Sequence, residues 1–228
     1  WVVADFYRAA GDWGSRPSIV YLHGTGRAGR RGLWIRRPAS LLAAAGYNVL
    51  AIDLLHWGDR ATGLLTTFTD EEQHARLYND TAAYREWVAR TVGDVRRSVD
   101  VLRDRYGLDE RAVGLVGFSR GASVAPIAAA ADPRIAAVVM LYGGHIDREE
   151  TGHSASACNA NYIGLIAPRP LLMVNGRADR RIPAAASVEP LFALAREPKR
   201  ILWLDTGHQV PGREAWPAIL AWLGDALP

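Results

Sequence analysis

Cysteine is almost missing from this chain. Cys158 stands alone, so no disulfide can form within it, the fold must be held by its core, and a reducing compartment such as the cytoplasm is the expected setting. Lysine is as scarce, with Lys199 the only one, and the basic residues are otherwise arginines scattered among acidic ones to a net charge of +3. That distribution excludes the contiguous positive block of a nucleic-acid-binding surface. The densest run, Arg27, Arg30, Arg31, Arg36 and Arg37, reads as a solvated loop approaching a helix. No apolar run is long enough to span a bilayer, and no signal-peptide pattern is present. Internal repeats and low-complexity linkers are missing too. The chain starts at Trp1 and not at methionine, which leaves room for an upstream segment that would carry any targeting signal.

What is present is a hydrophobic content of 49% over 228 residues, enough for one sizeable core and most simply one domain over 1–228 without a large inserted cap. Strand and helix patterns alternate. Alternating apolar and polar positions predict a half-exposed strand over Val2 to Arg8, and short apolar runs predict strands over Ser18 to Leu22, Tyr47 to Ile52, Ala112 to Phe118, Ile135 to Tyr142, Pro170 to Asn175 and Arg200 to Leu204. Helices are expected from Pro38 to Ala45, from Ala122 to Ala131, over Ala184 to Ala195 and from Glu214 to Leu223. The clearest periodicity runs from Ala82 to Tyr106, where Tyr84, Val88, Val92, Val95, Val99, Leu102 and Tyr106 fall three or four apart. Leu54 to Asn79 is ambiguous, with a helical piece over Asp70 to Leu77, and Gly143 to Asn161 is a polar loop. This alternation implies an α/β fold with a mostly parallel central sheet and helices on both faces. In such sheets ligands bind beyond the carboxyl ends of the strands.

One pentapeptide gives that edge a chemistry. Gly117-Phe118-Ser119-Arg120-Gly121 is a G-x-S-x-G between a buried strand and a run of small helix formers, the context in which a strained turn lifts a serine hydroxyl above the sheet. The glycines leave no side chain to collide with neighbouring backbone. A serine nucleophile needs a base, and the base an orienting acid. His208, in the loop after the last strand, is the best-placed base, whereas His56, His74, His145 and His153 read as surface or pocket-rim residues. Asp179 follows the strand Pro170 to Asn175 and is preferred as the acid over Asp147 and Asp205. The order Ser119, Asp179, His208 is the one expected with this elbow. An oxyanion needs N–H donors; these are expected from Arg120, the residue after the serine, and from Thr25 in His23-Gly24-Thr25-Gly26. Trp34, Trp57, Tyr142 and His145 are substrate-pocket candidates by position. The histidines show no metal-ligand spacing, so no metal and no cofactor are expected.

The same loop contains a rival pattern. Gly24-Thr25-Gly26-Arg27-Ala28-Gly29 follows a strand and Asp53 ends the next, nearly a dinucleotide-binding fingerprint. That fingerprint requires a helix opening at the third glycine; here loop continues through Gly32, and Pro38 is expected to interrupt any helix begun there.

Together, His23-Gly24-Thr25-Gly26, Gly46-Tyr47-Asn48-Val49 leading to Asp53, Gly117-Phe118-Ser119-Arg120-Gly121, Ala167-Pro168-Arg169-Pro170 leading to Asp179, and Gly207-His208 resemble the α/β-hydrolase superfamily. The nearest likeness is to the small esterases grouped with dienelactone hydrolases and prolyl-oligopeptidase-type catalytic domains, and it covers essentially the whole chain. The resemblance implies a sheet of about eight strands, within the usual range for large sheets, and a small-molecule ester as substrate; a pocket with an aromatic rim and no large lid would favour short to medium acyl chains. Two departures stand out: dienelactone hydrolases use cysteine where this chain has Ser119, and the opening hairpin of the sheet is shortened, so one edge strand is expected to be missing. A peptidase or amidase on the same triad, and a binding protein without turnover, are the alternatives. Oligomeric state has no signal in the sequence.

Overall fold

Among the described residues seven strands form one sheet, and their order brings the two loops of greatest chemical interest together. The computed structural model describes residues 1–145 and 154–228; Asp147 and His153 lie outside the described residues. The strands are β1 (Ala4–Tyr7), β2 (Ser18–Leu22), β3 (Asn48–Ile52), β4 (Val113–Phe118), β5 (Ile135–Leu141), β6 (Leu171–Gly176) and β7 (Lys199–Leu204), in the spatial order β1-β3-β2-β4-β5-β6-β7. Only β1 is antiparallel, to β3, and the remaining pairs are parallel. Every residue of β2, β3, β4 and β6 is buried, as unbroken apolar strands covered on both faces should be. The edges differ: β1 and β7 are largely half-buried. Seven strands with a short leading β1 match the expected loss of one edge strand.

The chain steps from β2 outward to β3, then returns across β2 to β4. Strand order therefore reverses between β2 and β4, and the loops leaving their carboxyl ends diverge at a point where a ligand can enter. Leu22 pairs with Gly117, so His23-Gly24-Thr25 and Phe118-Ser119-Arg120 emerge side by side.

The helices are α1 (Leu33–Ala44), α2 (Asp70–Gln73), α3 (Thr81–Tyr106), α4 (Arg120–Ala131), α5 (Glu189–Leu194) and α6 (Trp216–Ala226). One apolar cluster packs residues of α3 and α4 against one face of the sheet, and a second packs α1 and α6 against the other. The long α3 begins at Asp80, whose carboxylate accepts from the Ala82 and Ala83 N–H groups, and ends at Gly107 with φ 68°; a cap of the first kind contributes about 1 kcal/mol, and glycine adopts the second conformation without a Cβ penalty. Its buried stripe includes Tyr84, Val88, Val95, Val99 and Leu102, as the periodicity predicts. Trp87, Thr91 and Ser98 are buried as well, because α3 is covered on more than one flank.

Helix α1 departs from expectation. It starts at Leu33, with Pro38 inside it, so proline does not mark its beginning. A proline at the sixth helical position removes one i→i−4 bond, to the Trp34 carbonyl, and burial of Ile35, Pro38, Ala39 and Leu42 against the sheet outweighs that loss. The ambiguous segment resolves into α2, a π-helical turn over His74–Tyr78, and loops. The Ala184 to Ala195 stretch is likewise a π-helical turn, Ala184–Val188, running into α5. No helix among the described residues is long and apolar enough to cross a membrane.

Candidate active site

Ser119 sits on the turn between β4 and α4 with φ 51° and ψ −113°, a region that non-glycine residues rarely occupy and that stores backbone strain. Three features hold it there. The Ser119 N–H donates to the Leu141 carbonyl of β5 at 2.8 Å. A Cβ on Gly117 would come within 2.6 Å of the Ala122 nitrogen, and one on Gly121 within 2.7 Å of the His23 carbonyl oxygen, so neither position admits a side chain. The turn can be this tight only because both flanking residues are glycine.

The candidate base and acid arrive on loops from β7 and β6. His208 Nε2 lies 2.9 Å from Ser119 Oγ, and His208 Nδ1 lies 2.7 Å from Asp179 Oδ2. The other carboxylate oxygen of Asp179 accepts from the Arg181 N–H at 2.8 Å and the Ile182 N–H at 2.9 Å. Those bonds leave the carboxylate one further job, to hold the imidazole with its proton on Nδ1 and its Nε2 lone pair facing the serine. The two loops are pinned to each other: Arg177 N–H donates to Leu204 O at 2.8 Å and Ala178 N–H to Thr206 O at 3.0 Å. Asp205, the rival acid, has a side chain 95% exposed that pairs with Arg177 and plays no part in this chain of hydrogen bonds.

The histidine ring is also held from its faces. Phe118 lies 5.8 Å from its centroid at 30°, and Tyr142 5.9 Å at 83°. Tyr142 is fully buried, its hydroxyl is 2.6 Å from Thr206 Oγ1, and it adopts φ 51°. It supports His208 from behind and does not line the cavity beside Ser119. Burial and the pairing with Thr206 were illegible in the sequence, where only its place after β5 could be read.

Beside Ser119 the loop after β2 makes its closest approach. A Cβ on Gly24 would lie 2.9 Å from Ser119 Cβ and 3.0 Å from the Phe118 ring, so this backbone packs directly on the elbow. Arg120 is the first residue of α4, and its N–H has no carbonyl four residues earlier to bond within the helix. Thr25 borders the same cavity. His23, wholly buried, anchors the loop: its Nδ1 donates to Gly24 O at 2.6 Å and its Nε2 accepts from the Leu54 N–H at 3.0 Å. Burial pushes its pKa down, and the Leu54 N–H pointing at Nε2 requires the neutral ring.

Behind this loop lies the explanation of the dinucleotide-like glycines. The carboxylate of Asp53, fully buried, pairs with the Arg30 guanidinium and accepts from the Arg30 N–H at 2.7 Å and the Asp59 N–H at 2.8 Å. Gly29 and Gly58, at φ 51° and 59°, press against the same carboxylate, where a Cβ on either would overlap it. The acidic residue that would meet a ribose is thus saturated by the chain's own donors. Gly29 opens only a short 3-10 turn, Gly29–Arg31.

A cavity of about 180 Å³ opens at Ser119. Its walls are Thr25, Ser119, Arg120 and Ser123 from the loop after β2 and the elbow, Asp70, His74 and Tyr78 from the segment after β3, and Arg181 and Ile182 from the acid loop. None of the four aromatic or histidine candidates is among them. Trp57 is 1% exposed, edge-on to His23 and Trp87 in the core. Trp34 packs against Gly26, where a Cβ would meet its ring at 2.7 Å. His145 lies with its Nε2 3.4 Å from Cys158 Sγ. An amphipathic ring supplies core area as readily as pocket wall, and position in sequence cannot separate the two. Among the residues that do line the cavity, His74 reads from sequence only as a surface or rim histidine, and Asp70 and Arg181 carry no functional signal there. Among the described residues no group of three or more His, Cys, Asp or Glu side chains could hold a metal ion.

The family model for the dienelactone hydrolase family matches residues 15–195, and the chain belongs to that family. Its fold is that of the α/β hydrolases. The solved structures it resembles include an acetyl xylan esterase from Paenibacillus sp. R4, with TM-score 0.76 and 20% identity over 99% of this chain and 80% of that one. A cold-adapted esterase from an Arctic intertidal metagenomic library gives TM-score 0.74 and 19% identity over 100% and 89%. The α/β hydrolase GrgF from Penicillium sp. sh18 gives 0.72 and 14% over 100% and 98%. Among curated proteins, the uncharacterized YfhR of Escherichia coli (strain K12) is 44% identical over 50 residues, which is 22% of this chain and 17% of YfhR.

Proposed function

We propose that this hydrolase-family chain is a serine carboxylesterase that works through an acyl-enzyme. The observation that carries the reading is the continuous chain from Asp179 Oδ2 through His208 to Ser119 Oγ, 2.7 Å and 2.9 Å long, ending on a strained elbow. Membership of a family named for a hydrolase supports it.

In the first half-reaction Ser119 Oγ forms a bond to the ester carbonyl carbon while its proton passes to His208 Nε2. Asp179 stabilises the resulting imidazolium through Nδ1. The carbonyl oxygen, now an anion, is met by the N–H groups of Arg120 and Thr25 and by the positive end of α4. Collapse of the tetrahedral intermediate breaks the bond to the alcohol oxygen, which leaves with the proton from His208. A water then attacks the acyl-serine, giving one proton to His208; breakdown releases the carboxylic acid and returns that proton to Ser119. No cofactor enters any step. The small cavity, polar over most of its wall, favours short acyl chains.

Hydrolysis of p-nitrophenyl esters from acetate to decanoate by the protein and by Ser119→Ala tests the reading. Turnover should fall at least about 10⁴-fold in the variant and should decline along the series beyond butyrate. Equal rates in the two proteins would remove Ser119 from the mechanism.

A further inference from the structure

The cavity beside Ser119 has two opposite charges at its rim, brought together from distant parts of the chain. Arg181 Nη2 lies 2.8 Å from Asp70 Oδ2, across 111 residues of sequence, and the two side chains remain 55% and 58% exposed. Both line the cavity. The pair does little for the fold, since an exposed ion pair contributes little stability, so its place is better explained by what it faces. Arg181 is also fixed relative to the triad, because its own N–H holds Asp179 Oδ1.

Resting on the esterase reading, we propose that Asp70 and Arg181 are a specificity pair that selects esters of polyhydroxylated alcohols. A hydroxyl both donates and accepts, and a carboxylate beside a guanidinium offers one partner for each role. Their 2.8 Å separation is like that of the two oxygens of a gauche vicinal diol, so adjacent hydroxyls can each bond one member of the pair. An alkyl alcohol finds Ile182 as the one aliphatic wall among the described lining residues, displaces water from the pair and returns no hydrogen bond to either member. An anionic alcohol meets Asp70 wherever it meets Arg181, and like charges in contact oppose binding.

The test compares glycerol 1-acetate with propyl acetate and 3-acetoxypropionate, which share the acyl group and a three-carbon alcohol chain, using the full chain, Asp70→Ala and Arg181→Ala. The protein should prefer the glycerol ester by about tenfold in kcat/KM, and each variant should lose most of that preference through KM. Both side chains are half-exposed, so both variants should fold, and their thermal melts check it. A glycerol-to-propyl ratio near one, a ratio unchanged in both variants, or a preference for 3-acetoxypropionate would overturn the proposal while leaving the esterase reading intact. Failure of the protein to hydrolyse any of the three would overturn both.

Discussion

Ser119 at φ 51° is a local conflict that its neighbours resolve. A serine in this region costs of order 1–3 kcal/mol, and the cost is met by the Leu141 hydrogen bond and by close packing that only glycine permits at 117 and 121. Gly24 is under the same constraint from the other side. On the proposed mechanism, Gly24→Ala would put a methyl group 2.9 Å from Ser119 Cβ and displace the Thr25 N–H, the proposed oxyanion donor, so kcat on p-nitrophenyl acetate should fall about 10²- to 10³-fold with a smaller change in KM. Steady-state kinetics on a variant with an unchanged thermal melt checks it. At this scale the sequence carried the residues with a required geometry, Gly117, Ser119 and Gly121, since the glycines mark where a side chain cannot fit. It could not assign the aromatics, because Trp57 in the core, Trp34 on the loop glycines and Tyr142 behind His208 all answer to packing partners distant in sequence.

Among the elements, the loop from β2 to α1 depends most on a buried charge. Asp53 ends β3, yet its carboxylate collects donors from Arg30 and the Asp59 N–H, and Arg30 continues outward to Asp5 and Asp59. A fully buried carboxylate of this kind is a lock on loop geometry; whether it stabilises more than an apolar replacement would is a separate matter. Removing Asp53 takes from the Arg30 guanidinium, 5% exposed as a residue, its one fully buried partner, leaves it only the part-exposed Asp5 and Asp59, and strips the Arg30 and Asp59 N–H groups of their acceptor. Asp53→Ala should therefore cost about 3–5 kcal/mol, read as a lowered urea midpoint. Loss of less than about 1 kcal/mol would show that the cluster is not a structural lock. The strands were legible as short apolar runs, and α3 as a period of three to four. The sequence pattern starts helix α1 too late, because Pro38 resembles a first-turn proline, whereas burial of its apolar face carries the helix five residues further back.

For the molecule as a whole, the parallel sheet does the gathering. Loops leaving β2, β4, β6 and β7 all emerge at one edge, so Thr25, Ser119, Asp179 and His208 converge although they span most of the chain. That convergence was readable beforehand because alternating strands and helices fix which end of each strand a loop leaves. The cavity wall was not: Asp70, His74 and Arg181 meet through loop packing with no periodic pattern, and a contact across 111 residues has no local trace. The central claim is that Ser119 becomes acylated, and the most direct measurement is acid quenching of the protein with p-nitrophenyl acetate within one turnover, followed by mass spectrometry of its peptides. The account predicts one added acetyl group on the peptide bearing Ser119, accumulating further in His208→Ala if deacylation is slowed more than acylation, and none in Ser119→Ala. Full turnover with no acetyl on Ser119, or acetyl on another residue that turns over as fast as product forms, would contradict it.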